Sequence, residues 1–333
     1  MNEPIVTIAL SAYNVANYVD AALQSIESQT YNNIEILCID DASTDGTFEK
    51  ISKRAERDSR YRVIKQRQNH GLSVSRNTAI SEAKGKYIVM LDGDDLFDKD
   101  MILDAVGAAE SQKADMVLWD YVPFCAESQI TQRQAKKSQL ETINPLDKIA
   151  LLRRPGFMWV RLLKTDKIRA MGISFEPGLT KQDIPIHWRL VTELTDIAIL
   201  PEKLSFYRLQ PNATSRRKDR SVFSLAKVMD IVKNDLHRSG TYNLYRDEFL
   251  RSRLSLLYGM YDFIRPELKA EALGMIIDRL DFDAKSYLAG KNELDFRTSV
   301  FYGKLDGRVQ DAIIYNTIVG MRSLFRGFKG IVK

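Results

Sequence analysis

Asp92-Gly93-Asp94-Asp95 puts three carboxylates within four residues, immediately after the apolar run at 87–91. Like charges this close repel unless a cation offsets them, and oxygen ligands suit a hard divalent ion, Mg²⁺ or Mn²⁺. An ion held there would bridge the carboxylates to phosphate oxygens and stabilise a diphosphate leaving group as charge builds on it. Taken alone, the residues fit somewhat better a solvated acidic turn, or carboxylates at a helix start where the macrodipole favours them. Asp98 and Asp100, just beyond, read as that second kind.

Two further polar clusters follow apolar runs. Ser11-Ala12-Tyr13-Asn14 comes after the first, and Asp40-Asp41-Ala42-Ser43-Thr44-Asp45-Gly46 after the second. Tyr13 offers an aromatic face to a nucleobase, and Asp41 a carboxylate that can accept a base N–H. Ser43, Thr44 and Asp45 are expected to cap the following helix. No Gly-x-Gly-x-x-Gly follows the first run and no Gly-Lys-Ser/Thr occurs, which disfavours dinucleotide-dependent oxidoreductases and P-loop NTPases. His70, His187 and His237 are too widely spaced for a histidine-rich metal site.

The elements that must position these clusters are legible as alternation. Runs at 5–10, 34–39, 62–65, 87–91 and Met116–Phe124 are short, rich in β-branched, Leu and aromatic residues, and bounded by turn residues. Between them Tyr18-Ala22-Ile26, Phe48-Ile51-Ala55, Val74-Thr78-Ala79 and Ile102-Val106-Ala109 have helical spacing. Strands alternating with helices of this length predict a mostly parallel sheet, whose ligands bind outside the carboxyl ends of the strands. All three polar clusters stand at such ends. Residues 126–145 are polar and read as a surface excursion, 146–214 as a second ordered region, and the pattern from 222 onward as helical. A domain boundary is placed at 216–221.

The chain of 333 residues is 44% hydrophobic and 28% charged, as expected of a globular protein of more than one core. Cys38 and Cys125 are isolated, which argues against a disulfide framework or a zinc site and for a reducing cytoplasm. No signal peptide is read at the start, and no apolar run reaches the roughly 20 residues of a membrane span. The formal net charge of +5 is uneven, with 22 Lys/Arg against 15 Asp/Glu from position 216 onward and 27 against 29 before it. That surplus points to an anionic surface as partner. Wound at about 100° per residue, Val309, Ile313, Ile314, Met321, Leu324, Phe325, Phe328 and Ile331 share one arc, and Arg308, Arg322, Arg326, Lys329 and Lys333 another. The pattern fits a basic amphipathic helix lying on an anionic membrane, and equally a terminal helix packed on the protein.

Taken in order, the motifs resemble those of family-2 glycosyltransferases, which have the GT-A fold. The matching elements are residues 6–10 with Ser11-Ala12-Tyr13-Asn14, then Leu23-Gln24-Ser25-Ile26-Glu27-Ser28-Gln29-Thr30-Tyr31, then 35–45. Asn69-His70-Gly71-Leu72-Ser73-Val74-Ser75-Arg76-Asn77 follows, and Lys84-Gly85-Lys86-Tyr87 leads into an Asp-x-Asp at Asp92 and Asp94. The resemblance implies an α/β fold, a GT-A-type mixed, mostly parallel sheet flanked by helices, with a C-terminal helical domain. Residues 1–215 would be the catalytic domain, with nucleotide-sugar binding in 1–125 and the acceptor side in 146–215. Residues 216–333 would be the helical domain.

It further implies roles. Ser11, Tyr13 and Asp41 would hold the uracil of a UDP-sugar. Asn69 and Arg76 would border the donor pocket, with a structural ion pair an equal alternative for Arg76. Asp92 would support Asp94, the direct ligand of Mn²⁺ or Mg²⁺, with Asp95 beside it. Family members invert, so a base must take the acceptor hydroxyl's proton. The family's "Glu-Asp-x-Pro-Phe" type motif corresponds to Gln182-Asp183-Ile184-Pro185-Ile186, which makes Asp183 the candidate base, with a helix N-cap as the plainer alternative. Gln182 departs from the usual Glu. Trp159-Val160-Arg161-Leu162 resembles the Trp-x-Lys/Arg-Leu element, so Trp159 lines the acceptor side or packs in the core. Tyr207-Arg208 and Asn212-Ala213-Thr214-Ser215 resemble the stretch closing the catalytic domain, where Arg208 would fold over the diphosphate.

The expected activity is inverting transfer from a UDP-sugar, of the hexosyl or N-acetylhexosaminyl class, to a hydroxyl of a glycan or lipid-linked glycan. Its setting would be bacterial surface polysaccharide synthesis, in the cytoplasm or on the inner face of the membrane. No nucleic-acid partner is expected. The alternative, which Gln182 leaves open, is a nucleotide-sugar-binding or scaffold protein of the same fold with impaired catalysis.

Overall fold

The computed structural model describes residues 3–127, 138–210, 216–290 and 293–305. The amphipathic pattern at 306–333 and the Asn212–Ser215 motif lie outside the described residues, as does most of the polar excursion.

The apolar runs form strands because each buries most of its length. Strands β1 (Val6–Ala12), β2 (Ile34–Asp40) and β4 (Tyr87–Asp92) are almost wholly buried, as strands covered on both faces must be. They pair in parallel, β1 lying between β2 and β4, and β3 (Tyr61–Lys65) adds in parallel outside β2. Edge strand β3 is only partly buried, and Arg62 on it pairs with Glu35 and Glu82, so charged side chains discourage further strand addition. Helices α1 (Val19–Glu27), α2 (Thr47–Ala55), α3 (Leu72–Glu82) and α4 (Met101–Gln112) join these strands at the places where helical spacing was read.

The eight-stranded sheet continues in the order β3-β2-β1-β4-β7-β6-β8-β5. Strand β7 (Arg161–Lys164) is antiparallel to both β4 and β6 (Met116–Phe124), while β8 (Ile197–Arg208) runs parallel to β6 and antiparallel to the two-residue β5 (Leu96–Phe97). The sheet is therefore mixed and mostly parallel, flanked by helices, as the α/β expectation had it. Short helices α5 (Lys148–Leu152) and α6 (Thr165–Ala170) precede α7 (Asp183–Glu193), which runs up to β8. Gly85 fixes how closely β1 approaches the entry to β4. A Cβ there would stand 2.5 Å from the Thr7 nitrogen and 2.8 Å from the Ile5 oxygen, both backbone atoms.

The capping expectation before α2 is corrected. Gly46, with φ +89°, takes the cap position, while the Ser43 Oγ accepts from the Asn14 N–H and the Thr44 N–H donates to the Asn14 side chain. Those polar groups are claimed by the turn after β1, which lies beside them in the parallel sheet. Asp45 alone serves the helix start, accepting from Thr47 N–H at 3.0 Å.

By its contacts the chain divides into two compact units, one of residues up to Arg217 with Val228–Thr241, the other of Lys218–Lys227 with Tyr242 onward. The second is helical. Helix α9 (Tyr242–Phe263) is its spine, against which α10 (Lys269–Ile277), α11 (Phe282–Ala289) and α12 (Phe296–Leu305) pack. Arg253 pairs with Asp281 at 3.1 Å, and the Tyr302 hydroxyl donates to the Leu254 carbonyl. Helix α8 (Ser224–Arg238) has its first residues in the second unit and the remainder in the first. No helix among the described residues is long and apolar enough to cross a membrane.

Candidate active site

Parallel pairing brings the carboxyl ends of β1, β2 and β4 to one edge. Ala12 is opposite Asp40 and Ser11 opposite Asp92, so the three polar clusters become neighbours in space. The turns that follow are tied together by the Gly93 N–H on the Ser11 carbonyl and the Asp41 N–H on the Ala12 carbonyl. Left-handed backbone at a residue other than glycine is uncommon and costs energy. Among the described residues it occurs at Lys113, which ends α4, and at Asn14 after Tyr13, Ala42 after Asp41 and Lys181 before Asp183. Three of these four strained positions are thus in turns that carry candidate residues.

Tyr13 is 47% exposed at this edge and presents its ring to solvent. Asp41 is buried, and its two carboxylate oxygens accept the backbone N–H groups of His70 and Gly71 at 2.9 and 2.7 Å. It therefore shapes the loop that carries the exposed Asn69 and leads into α3. Gly71 holds φ +85°, which glycine adopts without steric cost.

Helix α3 has no apolar stripe of ordinary width. Ser73, Ser75 and Arg76 are buried with Ala79 and Ile80. Arg76 is 1% exposed and forms the centre of the site. One guanidinium nitrogen donates to Asp183, and the other to Asp92 at 3.2 Å. Asp183 opens α7, but Gln182 occupies the cap position and the carboxylate is turned to Arg76 rather than to its own helix. Burial works against the Arg76 charge, yet Asp183 and Asp92 outweigh it and raise the group above its ordinary value. Burial raises the Asp92 carboxyl, with Arg76 opposing and Asp183 adding to the rise.

The remaining carboxylates are crowded. Burial and then the Asp92 charge raise Asp94, and burial followed by Asp94 and Asp92 raises Asp95. Asp95 is 1% exposed and accepts the Arg208 N–H at 2.8 Å. The Arg208 side chain donates to the Asp94 carbonyl at 2.8 Å, pairs with Glu127, and lies over the rings of Tyr18 and Phe124. Gln210, which the motifs did not flag, donates to the Asp94 carboxylate at 2.5 Å. Asp98 and Asp100 are structural, Asp98 accepting the Asp100 N–H and Asp100 the Thr30 hydroxyl.

Trp159 is 3% exposed and lies in a cluster with Tyr121, Phe157 and Tyr207. The motifs assigned no role to two buried groups of the same region. Arg161, whose charge burial disfavours, lies 3.5 Å from His187 on α7. Both stand near Asp183 in sequence or space, yet nothing in their spacing marks them as a pair 26 residues apart.

Among the described residues no group of three or more acidic, His or Cys side chains has the arrangement of a metal cage. The donor chemistry nevertheless fits a hard cation completed by its substrate. Mg²⁺-type sites commonly use one or two carboxylates together with substrate phosphates. Asp94 and Asp92 are two such carboxylates, raised by burial with too little positive charge beside them.

Known proteins are similar to this chain in sequence and in fold. The family model for glycosyl transferase family 2 matches residues 7–167. WfaP of Escherichia coli, a UDP-Glc:alpha-D-GlcNAc-diphosphoundecaprenol beta-1,3-glucosyltransferase, is 40% identical over 233 residues, which cover 70% of this chain and 88% of WfaP. The glycosyltransferase EpsJ of Bacillus subtilis is 29% identical over 220 residues, covering 63% of this chain and 62% of EpsJ. The chain thus spans less than two thirds of that relative's length. Among solved structures, S. aureus TarS 1-349 in complex with UDP-GlcNAc superimposes with a TM-score of 0.58 at 15% identity, over 86% of this chain and 92% of TarS 1-349. That likeness is one of fold.

Proposed function

The chain belongs to glycosyl transferase family 2, and from that premise we propose that it transfers a hexose or N-acetylhexosamine, with inversion, from a UDP-sugar to a hydroxyl of a lipid-linked glycan. One observation carries this. Arg76 joins Asp183 to Asp92, so the candidate base and one of the carboxylates assigned to the donor side belong to one hydrogen-bonded cluster. A single displacement needs both groups on either side of one carbon.

In this reading the exposed Tyr13 ring stacks on the uracil, with Ser11 and the free lone pairs of Asp41 beside it. Asn69 closes the pocket from its loop. Asp94 and Asp92 would hold Mn²⁺ or Mg²⁺, whose charge would offset that of the leaving diphosphate. Asp95, buried and bonded to the Arg208 backbone, positions the acidic turn rather than contacting substrate. Asp183 takes the acceptor hydroxyl's proton as that oxygen bonds to the anomeric carbon and the bond from this carbon to phosphate breaks, releasing UDP. Arg208, bonded to the Asp94 carbonyl, borders the diphosphate in this reading.

Support for the donor comes from WfaP, which uses UDP-Glc, and support for a lipid-linked acceptor from the same relative's diphosphoundecaprenol substrate. Such an acceptor implies bacterial surface polysaccharide synthesis and work at the cytoplasmic face of a membrane. The test is a hydrolysis screen over UDP-, GDP- and dTDP-sugars with Mn²⁺ and with chelator. UDP-sugar turnover that stops on chelation is expected. Turnover indifferent to chelator would remove the metal role, and failure to turn over any nucleotide sugar would favour the scaffold alternative.

A further inference from the structure

Four aromatic side chains beside α7 are arranged as a floor and a wall. Phe157 and Tyr207 lie nearly parallel to Trp159, at 4.9 Å and 11° and at 5.4 Å and 10°. They are 6.2 Å from each other, at 21°. Were they on opposite faces of the indole, two contact separations of about 3.5 Å would hold them at least about 7 Å apart. They therefore lie side by side on the same face. Trp159 is buried beneath them, while Phe157 and Tyr207 are half-buried. Tyr121, also half-buried, stands upright to all three rings, at 79°, 82° and 90°.

A pair of coplanar, partly open rings is more than packing requires. Their faces carry the negative lobe of the ring quadrupole, which attracts C–H groups bearing partial positive charge, such as those on the apolar face of a pyranose. Hydroxyl groups at the rim of such a ring need polar partners. At the Phe157 end, the pocket that Tyr121 and Phe157 line also contains Asp120 and Arg154, which pair at 3.1 Å; Tyr207 does not line it.

The platform is also in the right place. A Cβ on Gly156, the residue before Phe157, would stand 2.9 Å from the His187 Cβ and 3.4 Å from the Asp183 carbonyl oxygen, so this segment packs on the first turn of α7. At its other side Tyr207 precedes Arg208, whose N–H is bonded to Asp95. The rings thus stretch from the helix that carries the candidate base to the acidic turn.

We propose that Phe157 and Tyr207, walled by Tyr121, form a stacking subsite for the acceptor's sugar ring, which it presents to Asp183. This rests on the transferase function proposed above. Trp159 is the support of the floor and not a contact.

The full chain is tested with the methyl glycosides of glucose, galactose, mannose and N-acetylglucosamine. Saturation-transfer NMR, with irradiation of aromatic protons, is expected to mark the C–H protons of one ring face for at least one glycoside. Tryptophan fluorescence should follow the same binding to saturation. Phe157→Leu and Tyr207→Leu keep apolar bulk but lose the flat face, and each is expected to weaken binding about threefold to tenfold. No saturable binding of any of the four glycosides overturns the proposal, as does uniform transfer to all ring protons. If the Leu variants unfold, the NMR pattern on the unaltered protein decides alone. UDP-sugar hydrolysis by the same preparation separates the two ideas. Glycoside binding without hydrolysis rejects the transferase and keeps the platform, whereas hydrolysis without glycoside binding rejects the platform only.

Discussion

Arg76 is a guanidinium with 2% of its side chain exposed, placed between carboxylates exposed to 26% and 18%. Removing one member of a buried ion cluster leaves the others uncompensated, which typically costs about 3–5 kcal/mol. Arg76→Met is therefore expected to lower the unfolding free energy by about that amount in urea denaturation, and Arg76→Lys by less, because it keeps the charge and loses the fork. A loss below about 1 kcal/mol for Arg76→Met would mean that the cluster is dispensable to the fold. Asp183→Asn changes one atom, and as a base it should lower kcat about 10²- to 10⁴-fold while the donor KM moves little. Undiminished transfer by a folded Asp183→Asn protein would remove Asp183 as base. The sequence showed Asp183, Asp92 and Asp94 through their motifs but left Arg76 undecided between donor contact and ion pair. Its partners are 107 and 16 residues away, and only the meeting of α3, β4 and α7 brings them to one guanidinium. Gln210 was silent for the same reason, since a neutral side chain 116 residues from Asp94 has no periodicity to betray it.

At the scale of elements, the buried parallel strands were legible because both faces are apolar and each is followed by turn residues. Strands β5 and β7, of two and four residues, are too short to carry a period, and β8 is interrupted by Pro201-Glu202-Lys203 in its middle. Helix α7 entered the sequence reading only as the alternative in which Asp183 caps a helix, and the cost of its burial not at all. His187 on it is 3% exposed, and burial, followed by the nearby Arg161 charge, pushes its imidazole down to about 3. An unfolded histidine titrates near 6.5, so below that pH the unfolded state binds a proton that the folded state refuses. Stability from this residue is intact above about pH 6.5 and falls by about 1.4 kcal/mol per pH unit as pH drops toward 3. Between pH 7 and 5 the expected loss is about 2 kcal/mol, measured by urea denaturation at fixed temperature. His187→Gln should remove that part of the pH dependence. A variant whose stability falls with acid as steeply as that of the unaltered protein would show His187 to be uninvolved.

For the whole molecule, charge is divided as unevenly as structure. The segment from 216 onward carries 22 Lys/Arg against 15 Asp/Glu, and residues before it 27 against 29. A transferase whose acceptor is lipid-linked must meet that acceptor at a membrane, and a basic surface lowers the energy of that encounter when the lipids are anionic. Residues 306–333 contain Arg308, Arg322, Arg326, Lys329 and Lys333 among apolar residues at helical spacing. Each basic residue near an anionic surface contributes about 1 kcal/mol, so engagement of three would strengthen binding by roughly a hundredfold. The full chain is therefore expected to cosediment with vesicles containing phosphatidylglycerol and to leave neutral ones in the supernatant. Binding should weaken as salt shortens the Debye length. Deleting 306–333 should abolish cosedimentation and raise the KM for a lipid-linked acceptor while leaving UDP-sugar hydrolysis intact, because every candidate site residue precedes the deletion. A truncated protein that binds anionic vesicles as tightly as the full chain would move the membrane contact elsewhere, and the surplus charge of the segment from 216 onward would then be the next place to seek it.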